Sequence, residues 1–292
     1  MPSPAPTAEP RARSAEGRRR RPRPSALPGF PLAFGTAATY LSLVVLLPLA
    51  ALALRAGELG PAGLARILSD ERIAAALRLS FGLSALAALL NAALGLLVAW
   101  VLVRYRFPGR RLLDAAVDLP FALPTAVAGI ALAALYAPNG WVGALFAPHR
   151  IAFTPLGIFV ALVFIGLPFA VRTVQPVIAE IDREVEEAAA TLGASRARAV
   201  WTVLLPPLAP AVLTGFALAF ARAVGEYGSV IFVAGNIPFV SEIAPLLIVT
   251  RLEEFDYAGA TGIAVVMLAM SFATLLSING LQALSRRRLG HG

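Results

Sequence analysis

The chain has 292 residues, 58% of them hydrophobic and 14% charged, with a mean hydropathy of +0.77; this is membrane composition rather than soluble composition. It contains no cysteine, which excludes disulfides, thiolate metal sites and a cysteine nucleophile. All 25 of its basic residues are arginine, so it offers no Schiff-base lysine and no P-loop lysine for nucleotide phosphates, and a net charge of +8 invites a nucleic-acid reading that the placement of the arginines opposes.

Residues 1–28 are rich in Pro, Ala and Arg and are expected to form a disordered cytoplasmic arm. A topogenic tail is the favoured reading of it, with headgroup or nucleic-acid contact as the alternative. A helix crossing the ~30 Å hydrocarbon core needs about 20 mostly apolar residues. Runs of this kind lie at Leu32–Leu54, Leu79–Val103, Leu119–Ala137, Leu156–Val171, Leu208–Ala234 and Ala258–Leu284. The expectation is an all-α polytopic bundle of about six spans occupying residues 29–288, followed by a tail at 289–292. Arg222 and Glu226 interrupt the fifth run, so five or seven spans stay open. The first run is too long for a signal h-region and reads as an uncleaved anchor.

Within the second run, Ser80, Ser84, Ala88 and Ala92 recur every four residues, a small-residue stripe that admits a neighbouring helix. The third opens LPFALPTAVAGI, with Pro120, Pro124 and Gly129 where a simple anchor would carry leucine. Prolines there free backbone carbonyls, either beside a cavity or at an inert kink.

Eighteen arginines fall in the arm, in the loops after the second and fourth runs and in the tail; six fall in the opposite loops. The positive-inside rule therefore puts both termini in the cytoplasm. It also puts there the segment 180–206, which reads EIDREVEEAAATLGASRARAVWTVLLP. Ile178, Ile181, Val185, Ala188 or Ala189, and Leu192 share a helical face, with acids around it; Asp182 fits an N-cap and Gly193 a C-terminal stop. A second short helix carrying Arg196 and Arg198 is expected to end at Pro206 and Pro207, where the next span starts. Two readings stand: a docking surface for another protein, or an amphipathic connection lying on the bilayer.

Arg222 and Glu226, four apart on one span, can pair. Charges there cost roughly 2.5–3.5 kcal/mol each by insertion scales and face a partner or a watery path. A transient anion contact by Arg222, with Glu226 holding it when the path is empty, stands beside a static tie. The loop Gly235–Tyr257 carries Glu242, Glu253, Glu254 and Asp256 against one arginine; contact with a soluble protein and a merely solvated loop both fit. His149 and His291 are isolated and suggest no metal site.

Glu187-Ala188-Ala189, then Gly193, Val203 and Leu205-Pro206 at fixed spacing resemble the EAA loop of binding-protein-dependent ABC importer permeases. LPFALPTAVAG, PFAVRTVQPV, FARAVGEYGSVIFVAGNI and RLEEFDYAGA resemble the T-type permease subunits of sulfate/thiosulfate importers. The resemblance implies a type I importer bundle in a bacterial inner membrane. It further implies that Glu187, Ala188, Ala189, Gly193, Val203, Leu205 and Pro206 couple to an ATPase. The implied partners are a second permease subunit, two ATPase subunits holding ATP and Mg, and an extracytoplasmic sulfate-binding protein. This chain itself would bind no cofactor and no nucleic acid, and would sit in membrane lipid. Arg222, Gly225, Glu226, Gly228 and Pro124 are the candidates for the translocation path. Molybdate or tungstate transport is the alternative substrate class, and an ion-coupled secondary anion transporter the alternative mechanism.

Overall fold

A computed structural model of the chain describes residues 29–288. The N-terminal arm, the four-residue tail and His291 lie outside the described residues, as do the side chains of Arg286, Arg287 and Arg288. Among the described residues there are helices and turns and no strand. Five helices are long and apolar enough to cross a membrane: Phe30–Ser69, Glu71–Arg104, Pro155–Glu180, Arg196–Val224 and Tyr257–Gly280.

Two units divide the chain at Ala50. In the first, α1 (Phe30–Leu41) passes through a π turn at Ser42–Leu46 into the start of α2 (Leu47–Ser69). Its leucines and phenylalanines are exposed, a surface suited to lipid. The π turn has a local cause. The Leu47 N–H reaches back five residues to the Ser42 carbonyl, and Pro48 follows with no N–H to donate. Widening the turn relieves the clash that a proline ring makes four residues back.

In the second unit, α2 runs on past the expected end at Leu54 and kinks at Gly60, where φ is 62° ahead of Pro61. Asp70 then caps α3 (Glu71–Arg104), its carboxylate accepting from the Arg72 and Ile73 N–H groups. This helix starts eight residues before the expected Leu79, so Arg72 and Arg78 lie on it rather than in a loop. The small-residue stripe Ser80, Ser84, Ala88 and Ala92 is buried as its spacing predicts.

The expected third span is broken. After α4 (Arg110–Val117) and α5 (Leu119–Ala122), Leu123 and Pro124 are extended, and α6 (Thr125–Tyr136) has only 12 residues. The residue before a proline is pushed out of the helical region, and here Leu123 has ψ 133°. Twelve helical residues span roughly 18 Å, too little for the hydrocarbon core.

Next comes α7 (Pro155–Glu180), longer than its apolar run; then α8 (Arg183–Thr191) and α9 (Arg196–Ala199). A π turn at Val200–Leu204 joins α9 to α10 (Leu205–Val224). Pro206 and Pro207 therefore do not end the short helix, as the sequence suggests. Leu205 N–H bonds the Val200 carbonyl five back, the turn widens, and one helix runs from Arg196 to Val224. The expected fifth span ends there too, at Gly225 rather than Ala234; α11 (Val230–Val233), α12 (Ala244–Glu253) and α13 (Tyr257–Arg288) complete the chain.

Where α3, α7 and α10 cross, backbones come close because the residues are small. A Cβ on Gly95 would stand 2.6 Å from that of Ala170, and one on Gly215 would stand 3.1 Å from the Ala170 Cα. In lipid such close packing, not water exclusion, draws helices together. Around it, Ala99, Leu102, Val171, Val174, Ile178 and Leu208 form a buried cluster at the end that carries α8 and α9.

Candidate coupling segment and translocation path

At the junction of α8 and α9 the backbone is determined residue by residue. Gly193 N–H bonds the Ala190 carbonyl at 3.0 Å and Ala194 N–H bonds the Ala189 carbonyl at 3.0 Å, with Gly193 at φ 82°. This pair of bonds is the Schellman stop that closes a helix with a left-handed residue. Ser195 restarts the chain, its hydroxyl accepting from Arg198 N–H at 3.3 Å. Asp182 does occupy the N-cap position of α8, yet its side chain makes no capping hydrogen bond. The helical face read from Ile178 to Leu192 is also interrupted: Ile178 belongs to α7 and is buried, while Ile181 and Asp182 are extended.

The exposed side of this junction carries large apolar side chains among its charges. Leu192 is 88% and Trp201 69% exposed, and Val185, on α8, and Val200, next to Trp201, are exposed as well. Glu187, Ala188 and Gly193 are open, Ala189 is buried, and Val203, Leu205 and Pro206 are half-buried on the helix that returns toward the bundle. A Cβ placed on Gly193 would meet nothing within 4 Å. The candidate coupling residues thus divide into an outward set near the Gly193 turn and an inward set, Ala189 on α8 with Val203, Leu205 and Pro206 on the returning helix.

At the candidate path, Arg222 lies in the last turn of α10 and Gly225 is its C-cap. Arg222 Nη1 donates to Glu226 Oε2 at 2.5 Å, while Glu226 Oε1 accepts from both the N–H and the hydroxyl of Ser229, each at 2.8 Å. Glu226 is 3% exposed, so both of its oxygens are satisfied, as a buried carboxylate requires. No other hydrogen bond leaves the Arg222 guanidinium among the described residues, and its side chain is 32% exposed. Gly228 lies against Thr125, where a Cβ would come within 2.3 Å of Oγ1; Gly129 lies against Ser229, where a Cβ would come within 2.4 Å of the backbone oxygen. Pro124 is the exposed N-cap of α6 next to Thr125. The break in the third run and the end of the fifth therefore meet, and all five candidate path residues fall in or next to that meeting point.

A model of the family "binding-protein-dependent transport system inner membrane component" matches residues 91–291. The chain belongs to this family. It is 51% identical over 253 residues to the probable sulfate transport system permease protein cysT of Nephroselmis olivacea, covering 86% of this chain and 89% of that one. To the sulfate transport system permease protein CysT of Escherichia coli K12 it is 48% identical over 268 residues, covering 91% and 97%. Among solved structures it resembles a bacterial alginate ABC transporter crystallised with an alginate pentasaccharide-bound periplasmic protein. That match has a TM-score of 0.71 at 17% identity, covering 88% of this chain and 93% of that one. An amino acid ABC transporter with histidines matches at TM-score 0.52 and 18% identity, over 77% and 97%. These structural likenesses show the fold, an all-α bundle.

Three ion-pair anchors of this permease escape sequence reading. Arg104, at the end of α3, donates to the Ile181 carbonyl at 2.8 Å and lies 3.1 Å from Glu186 Oε1, with its guanidinium over Trp100. The Glu186 contact is an ion pair without hydrogen-bond alignment, because that oxygen has no directed donor. Arg104 thereby ties α8 to α3. Arg172 on α7 holds both Asp118 oxygens, at 2.8 and 2.6 Å, and Asp114 Oδ1 at 2.6 Å. The hydrogen bond from Arg172 holds the Asp114 carboxyl below its ordinary range. Arg72 forks onto Glu242 at 2.8 and 2.7 Å, burying that acid, while Arg251 lies 3.5 Å from Glu254 and 3.6 Å from Asp256. The loop at 235–257 is accordingly less acidic than its composition suggests. The i,i+4 spacing of Asp114 and Asp118 and the i,i+3 spacing of Arg251 and Glu254 were visible signals; the one arginine that answers both aspartates, Arg172, lies tens of residues away.

Proposed function

We propose that this chain is the transmembrane permease subunit of an ATP-driven importer of sulfate or thiosulfate, with both termini in the cytoplasm of a bacterial cell. The observation that carries the substrate is the roughly half identity, over most of the chain, to proteins named as sulfate transport permeases. The absence of lysine supports an energy source in another polypeptide. In this reading two ATPase subunits hold ATP and Mg, a second permease subunit completes the pore, and an extracytoplasmic binding protein delivers the anion.

The α8–α9 turn then acts as a lever. Its outward set, Glu187, Ala188, Leu192 and Gly193, receives the ATPase surface, and the inward set passes displacement along the continuous helix to Val224. Arg104 and its contacts with Ile181 and Glu186 carry the same displacement into α3. ATP biases the bundle only through its different affinity for the two arrangements. At the far end of α10, Glu226 aims the guanidinium of Arg222 with one hydrogen bond, leaving its remaining N–H groups for a tetrahedral dianion. Gly225, where a Cβ would meet nothing within 4 Å, leaves that neighbourhood open, while Gly228 admits the Thr125 side chain beside it.

Uptake of labelled sulfate in a strain lacking the chain, with thiosulfate and molybdate as competitors, tests the substrate. Loss of sulfate uptake that requires ATP supports the proposal. Loss confined to molybdate would move the chain to the molybdate/tungstate class, and uptake driven by an ion gradient alone would refute the importer mechanism.

A further inference from the structure

Between the end of α3 and the start of α4 lies an open cleft of about 690 Å³, lined by Arg106, Phe107, Arg110, Arg111, Leu112 and Asp114 among others. Its electrostatics are one-sided. Among the described residues none of Arg106, Arg110 and Arg111 forms a salt bridge, and the one acid of the lining, Asp114, is bound by Arg172. All three arginines are exposed. The α4 backbone adds to this charge, since Gly109 at its N-cap offers no side-chain acceptor.

The same segment carries an apolar belt. Leu112 is 77% exposed, and Leu113, Tyr105, Leu119 and Phe121 are exposed as well. In α4 the helical period puts Leu112, Leu113 and Ala116 on one side and Arg110, Arg111 and Asp114 on the other. A basic face beside an apolar face, with an exposed tyrosine at the end of a span, is the composition of a helix at a bilayer interface. A free dianion would use the arginines and leave the leucines unexplained; an amphiphile uses both.

The geometry points to a binding site for an anionic phospholipid, its phosphate held by Arg106, Arg110 and Arg111 and its acyl chains laid along Leu112 and Leu113. The site lies at the end of the bundle that bears the coupling turn, because Arg104, two residues before Arg106, is bonded to Ile181. It depends on the chain being a membrane protein and not on which anion it transports. Lipid charge at this face then reaches α3, α4 and, through Asp114, α7.

The test uses the full chain in phosphatidylcholine nanodiscs doped with phosphatidylglycerol, with the retained lipids counted by mass spectrometry after detergent extraction. The chain is expected to retain phosphatidylglycerol over phosphatidylcholine. Each near-surface arginine is worth roughly fivefold, so the combined R106Q, R110Q and R111Q variant is expected to lower that preference by more than about tenfold. The corresponding triple lysine variant keeps the charge and is expected to keep most of the preference, which separates lost binding from lost folding. Equal retention of phosphatidylglycerol by native and triple-glutamine chains would overturn the site. So would release of the lipid by millimolar inorganic sulfate, which would make it a free-anion site. Exclusion of the lipid when an ATPase subunit is bound would reassign the cleft to a protein partner.

Discussion

Two sets of glycines in this permease do opposite jobs. Gly193, at the coupling turn, has open space around the position of a Cβ and a φ of 82°. Gly129 and Gly228, where α6 meets the segment after α10, have ordinary backbone angles and no room: a Cβ would stand 2.4 Å from the Ser229 oxygen or 2.3 Å from Thr125 Oγ1. The first region is exposed and needs glycine for its conformation; the second is closed and needs glycine for its absence of bulk. An exposed turn set by backbone conformation and a packed junction set by lack of bulk follow from that difference.

The largest expected effect belongs to the closed region. Glu226→Ala leaves two buried Ser229 donors without an acceptor and Arg222 without its anchor; each buried donor left unsatisfied costs about 1–3 kcal/mol, while the part-exposed Arg222 keeps access to water. The melting temperature of the purified chain in detergent should fall accordingly, and an unchanged melt would show that the pair is dispensable for packing. Next, Gly129→Ala should destabilise by about 1–3 kcal/mol, because the atom it meets is backbone and cannot rotate away. Unaltered stability there would mean that α6 and Ser229 separate easily, and the comparison of the two glycine sets would fail.

Gly193→Val should cost only the left-handed backbone penalty, about 1–2 kcal/mol, and Gly193→Asn less. The insertion level should stay normal while ATP-dependent uptake falls far more than stability does. Normal uptake by the valine variant would place the joint elsewhere. The smallest effect is pH-dependent. Because Arg172 holds the Asp114 carboxyl low, the contribution of that pair is complete above the ordinary carboxylate range and disappears as pH falls through the depressed value, below about 3.9. The stability difference between the native chain and Asp114→Asn, measured at pH 7 and again near pH 3, should narrow on acidification. A gap independent of pH would mean that the interaction is not ionic.

Much of the bundle is legible in hydropathy, but what hydropathy misses is specific. It counts apolar residues and is blind to hydrogen-bond register, so it extends the third run through Leu123–Pro124, where the helix breaks, and the fifth through Gly225, where it stops. Prolines mislead in the other direction. Pro206 and Pro207 look like stops, yet a π turn absorbs them and the helix continues. The helix stop at Gly193 was readable because it is local, made by bonds from Gly193 and Ala194 to Ala190 and Ala189. The meeting of Gly228 with Thr125, the fork of Arg72 on Glu242 and the grip of Arg172 on Asp114 and Asp118 join residues far apart in the chain, and no local pattern announces such pairs.

The absence of cysteine makes the coupling turn directly measurable. A single Leu192→Cys replacement, at the residue that is 88% exposed, creates the chain's one thiol. Its rate of modification by a membrane-impermeant maleimide in inside-out vesicles reads both the side of the membrane and the cover over the turn. The thiol should react rapidly when the chain is present without its ATPase and be protected when the ATPase subunit is co-expressed. Equal reaction with and without that subunit, or reaction only from the outer face, would contradict the assignment of this turn as the place where the permease is driven.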